Sequence, residues 1–266
     1  MASVGHQQLL AGLRALGIQA GDRSLAHSAL SSFGRVEGGA QTVVDVLLDL
    51  MGPRGTLVMP YFFPLYDGIF DYAHPPAPYT GAVPRELRGR VGAVLSVHPS
   101  HPVVALGPAA AHIAADHYLV SAVGQGSPID RLAKMGGKVL LLGVGQSANT
   151  TLHTGEAYAG VPYWGRMRPD RAAGRHMLLP TGQQVWVPLP ETPGDSEGFA
   201  RIEPFLVERG LIRFGVIGRA RCRLMLGQPL IEAVVDYLRR DPAGLLCERP
   251  DCAYCTWARK YLAPNP

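Results

Sequence analysis

Long hydrophobic runs are missing from this 266-residue chain. The longest apolar stretches, such as residues 43–51, are broken by Asp45 and Asp49. None approaches the roughly 18 apolar residues of a membrane span, so no membrane partner is expected. The N-terminal residues lack a basic patch followed by an apolar core. No secretory signal is therefore expected, and the chain reads as cytoplasmic. Lysine is scarce: Lys134, Lys138 and Lys260 are the only three, and arginine supplies the rest of the 25 basic residues. No basic run of the kind that tracks nucleic acid occurs, which argues against a nucleic-acid partner. Cysteine is absent before position 222, and a cytosolic chain is not expected to hold structural disulfides. Internal repeats, low-complexity tracts and clean linkers are missing too. Residues 1–266 thus read as a single domain, long enough to bury a sizeable core.

What is present is a mild positive balance, net charge +4 with a pI near 9.0. It reads either as a surface bias or as attraction for an anionic ligand, such as a nucleotide phosphate or an acidic carrier protein. The 32 glycines and 23 prolines show no period, which implies many loops rather than disorder. Along the chain an amphipathic helix is expected over 6–18, a strand over 22–27 and a helix over 40–51. The last places Val43, Val44, Val46, Leu47 and Leu50 on one side and is stopped by Gly52-Pro53. A further strand follows at 55–60. This alternation predicts an α/β fold with a mostly parallel central sheet flanked by helices.

The most informative stretch is KVLLLGVGQSANTTLHTGE, residues 138–156. An apolar strand breaks at Gly143 and Gly145, a polar turn follows, and Thr150 or Thr151 is placed to cap a helix. That helix carries His153 and Glu156, whose i, i+3 spacing puts them on one face. Ligands of open α/β sheets bind outside the carboxyl ends of such strands. Imidazole is the side chain best suited to take up a proton near neutral pH. His153 is the candidate base, and Glu156 would orient it or merely be a solvated partner. Ser28, Thr150 and Thr151 are candidate oxyanion donors.

The four cysteines, Cys222, Cys247, Cys252 and Cys255, read C-x24-C-x4-C-x2-C. Four thiolates fit a tetrahedral zinc whose closed ligand set implies a structural role, pinning the tail. The alternatives are buried free thiols or a redox pair, though no thioredoxin-like βαβ surrounds the C-x2-C.

Several segments together resemble the aminoglycoside N(3)-acetyltransferase, or antibiotic N-acetyltransferase, family. They are HSALSSFGRVEGGAQTVVDVLLDLMGPRGTLVMP (27–60), SVHPSHPVVALGP (96–108), GSPIDRL (126–132), GKVLLLGVGQSANTTLHTGE (137–156) and IGRARCRL (217–224). They span about residues 8–257 in the family's order, and the tail LLCERPDCAYC resembles a branch with a metal-type cysteine cluster. The resemblance implies the family's own α/β fold, here with a C-terminal zinc-type staple of four cysteines. It implies acetyl-CoA as donor, the 3-amino group of a 2-deoxystreptamine antibiotic as acceptor, and a link to antibiotic resistance.

Within that frame His27, Ser28, Ser31 and Ser32, between a strand end and a helix start, are expected to hold the pyrophosphate or pantetheine of CoA. An ordinary Gly/Ser connector is the alternative. Ser96, His98 and Ser127 are expected along the CoA channel, although His98 also reads as a loop-packing residue. Arg131 suits either a phosphate or a surface pair with Asp130. A polycationic acceptor calls for carboxylates, and Asp67, Asp71, Glu191, Asp195 and Glu197 are candidates. Asp67, Asp195 and the neighbouring Tyr66 are the acceptor contacts expected first. Tyr61, Phe62, Phe63, Tyr66 and Phe70 point instead to a flat, less charged acceptor, or simply to core. The alternative function is accordingly a biosynthetic N-acyltransferase acting on a small-metabolite amine with a carrier-bound donor. A homodimer stays open.

Overall fold

The first helix of the computed structural model, α1 (His6–Leu16), buries Leu9, Leu13 and Leu16, an i, i+4, i+7 stripe that faces the core. The structure describes residues 3–64, 68–166, 173–189 and 195–262. Gly17 ends α1 in the left-handed region at φ 112°, where a residue without Cβ is at least cost. β1 (Arg23–Ser28) follows, then α2 (Gly39–Met51), which buries the expected Val43, Val44, Val46, Leu47 and Leu50. β2 (Thr56–Pro60) is buried along its whole length, as a strand covered on both faces must be. The chain continues through β3 (Phe70–Asp71), α3 (Ala82–Arg88), β4 (Val94–Leu95), β5 (Val103–Leu106), α4 (Ala110–Ala114) and α5 (Pro128–Lys134). β6 (Lys138–Leu142) and α6 (Thr151–Ala159) form the expected strand–turn–helix. The remaining elements are β7 (Gly174–Leu178), β8 (Gln184–Pro188), α7 (Glu203–Glu208), β9 (Arg213–Ile217), β10 (Ala220–Leu226), α8 (Gly227–Arg240) and α9 (Ala253–Arg259).

The main sheet has seven strands in the order β4-β5-β2-β1-β6-β10-β9. The expectation of a mostly parallel sheet needs correction. β1 pairs parallel with β2 and with β6, but the four outer pairings are antiparallel. For the β9–β10 pair the reason is local. β9 and β10 are joined by a tight turn at Gly218, φ 59°, and two strands joined by so short a turn can only run antiparallel. The parallel centre is what positions the site. His27 is level with Leu141 and Ser28 with Leu142, so β1 and β6 end side by side and their following loops meet outside the carboxyl edge.

A second sheet, β3-β7-β8, lies apart in the pairing scheme. Its β7–β8 hairpin turns through Thr181-Gly182, with Gly182 at φ 82°. Phe63 and Phe70 are buried there with Met177 and Val187, so part of the aromatic loop is core. No helix among the described residues is long and apolar enough to cross a membrane. α6 and α8 approach closely through Gly155, where an added methyl group would collide with the Val234 side chain. A glycine in mid-helix costs about 1 kcal/mol against alanine, and this close approach is its compensation.

Candidate active site

A cleft of about 310 Å³ opens at the carboxyl edge of β1 and β6. Ala26, His27 and Ser28 line it from β1, Val144 and Ser147 to Thr150 from the loop after β6, and His153 from α6. Phe62, Tyr79, Thr80 and His101 close another side, and Ser196 and Phe199 a third. His27 Nε2, Ser28 Oγ and Thr80 Oγ1 are buried without a hydrogen-bond partner in the protein. Such orphaned groups are costly unless a ligand or water completes them. Burial alone pushes His27 down to about 3, so its imidazole is neutral near pH 7. No Asp, Glu, Lys or Arg is found among the described lining residues.

His153 and Glu156 meet as their spacing predicts. Nδ1 of the imidazole lies 2.5 Å from Glu156 Oε2. A carboxylate only accepts, so Nδ1–H is the donor and Nε2 is the ring nitrogen not engaged by the carboxylate. The other carboxylate oxygen, Oε1, accepts from the Tyr163 hydroxyl at 2.8 Å. Burial, reinforced by Glu156 itself, pushes the Tyr163 phenol far above its ordinary range and keeps it a donor. Phe199 packs edge-on against the His153 ring, centroids 4.6 Å apart. No spacing in the sequence signals Tyr163, since the helix ends at Gly160 before reaching it. Phe199 carries only the hint of an acidic stretch running up to a Phe.

The start of α6 differs in detail from expectation. Thr150 is at the N-cap position but its side chain makes no capping bond. Asn149 takes that part, its Oδ1 accepting from Thr151 N at 3.2 Å while its Nδ2 donates to Gln146 Oε1 at 2.8 Å. Gln146 Nε2 donates in turn to Glu203. Glu203 is held by Arg223 through two bonds of 2.6 and 2.8 Å, and Arg223 also donates to the Val144 carbonyl at 3.0 Å. A half-buried ionic fork on β10 thus fixes the loop that presents His153.

Other expected residues lie elsewhere. Ser31 and Ser32 line a neighbouring depression with Gly143, Gly145, Arg219, Arg221 and Arg223, which shares Val144 with the cleft. Ser96, His98 and Ser127, expected along a CoA channel, are not among the described residues that line the cleft. Ser96 Oγ is bonded to His117 Nδ1 at 2.9 Å and accepts from Val103 N. Ser127 caps α5. His98 Nδ1 accepts from the backbone of Ser100 and His101, and its ring stacks on His117 at 4.5 Å. It is the loop-packing residue. Arg131 donates to carbonyls at the end of α4, including that of Ile113, rather than waiting for a phosphate. Asp71 pairs with His74 on the surface, and Phe62 is the ring of the aromatic loop that reaches the cleft. Tyr66, Asp67 and Glu191 lie outside the described residues.

The cysteine set is also corrected. Cys222 of β10, paired with Leu142 of β6, belongs to the core on one face of the sheet with Leu140 and Leu224. Cys247 and Cys255 belong to the core on the other face with Val139 and Leu141. Alternate strand residues point to opposite faces, so Cys222 cannot join them. The fourth member is Asp195, expected among the acceptor contacts. Its ligand atom and those of Cys247, Cys252 and Cys255 all lie within 4.8 Å of one another. Cys252 Sγ donates to Asp195 Oδ2 at 3.1 Å and Cys255 Sγ at 3.7 Å. Burial raises the Cys247 and Cys255 thiols.

Fold and cleft together are those of an α/β enzyme of the acyltransferase class. The profile of the aminoglycoside 3-N-acetyltransferase family matches residues 25–239, from β1 to the last turn of α8. The chain is 36% identical over 239 residues to aminoglycoside N(3)-acetyltransferase VII of Streptomyces paromomycinus, covering 81% of this chain and 80% of that protein. A crystal structure of aminoglycoside acetyltransferase AAC(3)-IVa, a histidine-to-alanine mutant in complex with a gentamicin, matches with a TM-score of 0.85 and 32% identity over 98% of both chains. AAC-IIIb in a binary complex with CoASH matches with a TM-score of 0.79 and 30% identity, over 90% of this chain and 97% of that one. The chain belongs to the aminoglycoside 3-N-acetyltransferase family and is an N-acetyltransferase.

Proposed function

We propose that the cleft transfers an acetyl group from acetyl-CoA directly to an amine of an aminoglycoside-like aminocyclitol, with His153 as general base. The observation that carries this reading is the 2.5 Å bond from His153 Nδ1 to Glu156, on a histidine that lines the cleft. It leaves Nε2 to receive a proton from the attacking amine. An alkylamine is mostly protonated near neutral pH, so a positioned base is required. Glu156 fixes the ring and stabilises the imidazolium, and Tyr163 fixes Glu156. As the N–C bond forms, the thioester carbonyl becomes an oxyanion, for which Ser28, Thr150 and the loop amides are the nearby donors. The C–S bond then breaks, and the departing CoA sulfur takes the proton held by His153.

On the donor side, His27 and Ser28 would hold the pantetheine arm at the cleft. Ser31 and Ser32, with Arg219 and Arg221 in the adjoining depression, suit the phosphates. On the acceptor side, neutral His101, pushed down to about 3 with burial as the first cause, spares a cationic substrate from repulsion. Tyr66 and Asp67 are the proposed acceptor contacts. Asp195, Cys247, Cys252 and Cys255 would hold a structural zinc ion, since three thiolates and a carboxylate are ligands zinc accepts. Their mutual spacing is near what a tetrahedral ion with bonds of roughly 2.0–2.3 Å demands.

A second reading, a small-metabolite amine acylated from a carrier-bound donor, is favoured by the lack of acidic side chains among the described cleft residues. Mass spectrometry of acetyl-CoA reactions with 2-deoxystreptamine aminoglycosides and small amines, wild type beside His153→Ala, decides between them. An acetylated aminoglycoside that disappears in the variant supports the first reading. Acetylation restricted to small amines supports the second.

A further inference from the structure

Asp195 joins two places that the chain otherwise keeps apart. Its carboxylate faces the cysteines, while the next residue, Ser196, and then Phe199 line the cleft. Phe199 is the ring that packs on His153. Between them Gly198 lies directly on the backbone that carries Cys247. A methyl group there would overlap the Leu245 carbonyl oxygen and stand 2.6 Å from Cys247 N. Backbone on backbone leaves no flexible side chain to give way. Asp195 Oδ1 also accepts from Glu197 N at 2.9 Å, turning the segment at its start. Beyond it, Arg201 donates to the Leu246 carbonyl at 3.3 Å, and Arg259 of α9 donates to the Cys247 carbonyl at 2.7 Å. The short segment 195–199 therefore runs from the cysteine cluster to the base without slack.

We propose that a thiophilic divalent cation of the zinc class, bound by Asp195, Cys247, Cys252 and Cys255, positions the cleft wall formed by Ser196 and Phe199 over His153. The cluster is then part of the acceptor site and not only a fastening for the tail. This deepens the acetyl-transfer reading and rests on it. Hydrogen bonds from neutral thiols are weak, whereas four ligand bonds to a cation hold Asp195 firmly and contribute directly to folding. His27, Ser28, Ser31 and Ser32 are not on the Asp195–Phe199 segment. Donor binding should therefore be nearly indifferent to the metal.

The test compares full-length protein reconstituted with Zn²⁺ and the same protein stripped by a chelator. Metal analysis should find one zinc per chain. Amide hydrogen exchange over 196–202 should rise at least about tenfold on stripping. By calorimetry, gentamicin should bind about tenfold more weakly, with CoA affinity within about twofold. Gly198→Ala should weaken gentamicin binding while keeping one zinc per chain. Asp195→Asn, which keeps the size of the side chain, should lose zinc and reproduce the exchange change if the glycine variant does not fold. No stoichiometric zinc, or unchanged exchange over 196–202 on stripping, would overturn the proposal. Failure of the acetyl-transfer reading shows differently: turnover survives His153→Ala while the exchange difference stays.

Discussion

Two groups of buried histidines stand near each other in this molecule and are built on opposite principles. His98, His101 and His117 crowd together with serines and backbone as their hydrogen-bond partners. Burial pushes His101 and His117 down to about 3 and His98 well below its usual value. All three are neutral near pH 7; His98 and His117 tie the loop before β5 to the segment after α4, and His101 also lines the cleft. His153 is as deeply set, but it has Glu156 at 2.5 Å and, behind it, Tyr163. The difference lies in the partner: serines and backbone complete one set of rings, and a buried carboxylate completes the other.

The sharpest way to break the comparison is to remove one ring from each group. His153→Ala should lower kcat by about 10²–10⁴, the usual worth of a positioned base, with CoA affinity retained. Full turnover in this variant would dissolve the distinction. The next largest effect is on stability against pH. Each histidine of the first group takes up a proton more readily unfolded, near 6.5, than folded, near 3 for His101 and His117. Their contribution is thus fully present above pH 6.5 and lost as the pH falls towards 3, at up to about 1.4 kcal/mol per pH unit for each group. Denaturant midpoints measured between pH 7 and 4 should fall accordingly. His117→Gln should flatten that slope at a fixed cost of about 1–3 kcal/mol while leaving kcat unchanged. Tyr163→Phe is the finest probe. It should destabilise by about 1–3 kcal/mol, because a buried carboxylate oxygen loses its donor, and reduce kcat less than His153→Ala. An unaltered pH–rate profile in this variant would confine Tyr163 to packing.

Sequence and structure agree best where one short segment carries the whole message. The strand, glycine break and helix of residues 138–156 set both a central strand of the main sheet and the His–Glu pair, because strand burial, turn chemistry and helical spacing are all local. What is illegible depends on distant pairing. β10 reads as the charged string ARCRL, and it becomes a strand because β6 and β9 pair with its backbone, while Arg223 finds Glu203 and Val144. Cys222 is a ligand by residue type, yet strand alternation turns it to the wrong face. Asp195 reads as an acceptor contact, and only the return of the tail reveals its thiol partners. Tyr163 and Phe199 reach His153 and its carboxylate through tertiary packing that no spacing encodes.

Gly155 sets a limit on how such an enzyme can change. With α6 pressed onto α8 so closely that a single methyl would collide with Val234, the helix bearing His153 and Glu156 cannot slide or rotate to suit a different acceptor. A deep mutational scan should find position 155 nearly invariant under selection for activity, while loop positions at the cleft that are neither core nor ligand, such as Phe62 and Tyr79, accept more residues. New acceptor preferences would then arise by rewriting those loops around a reaction centre that stays where it is.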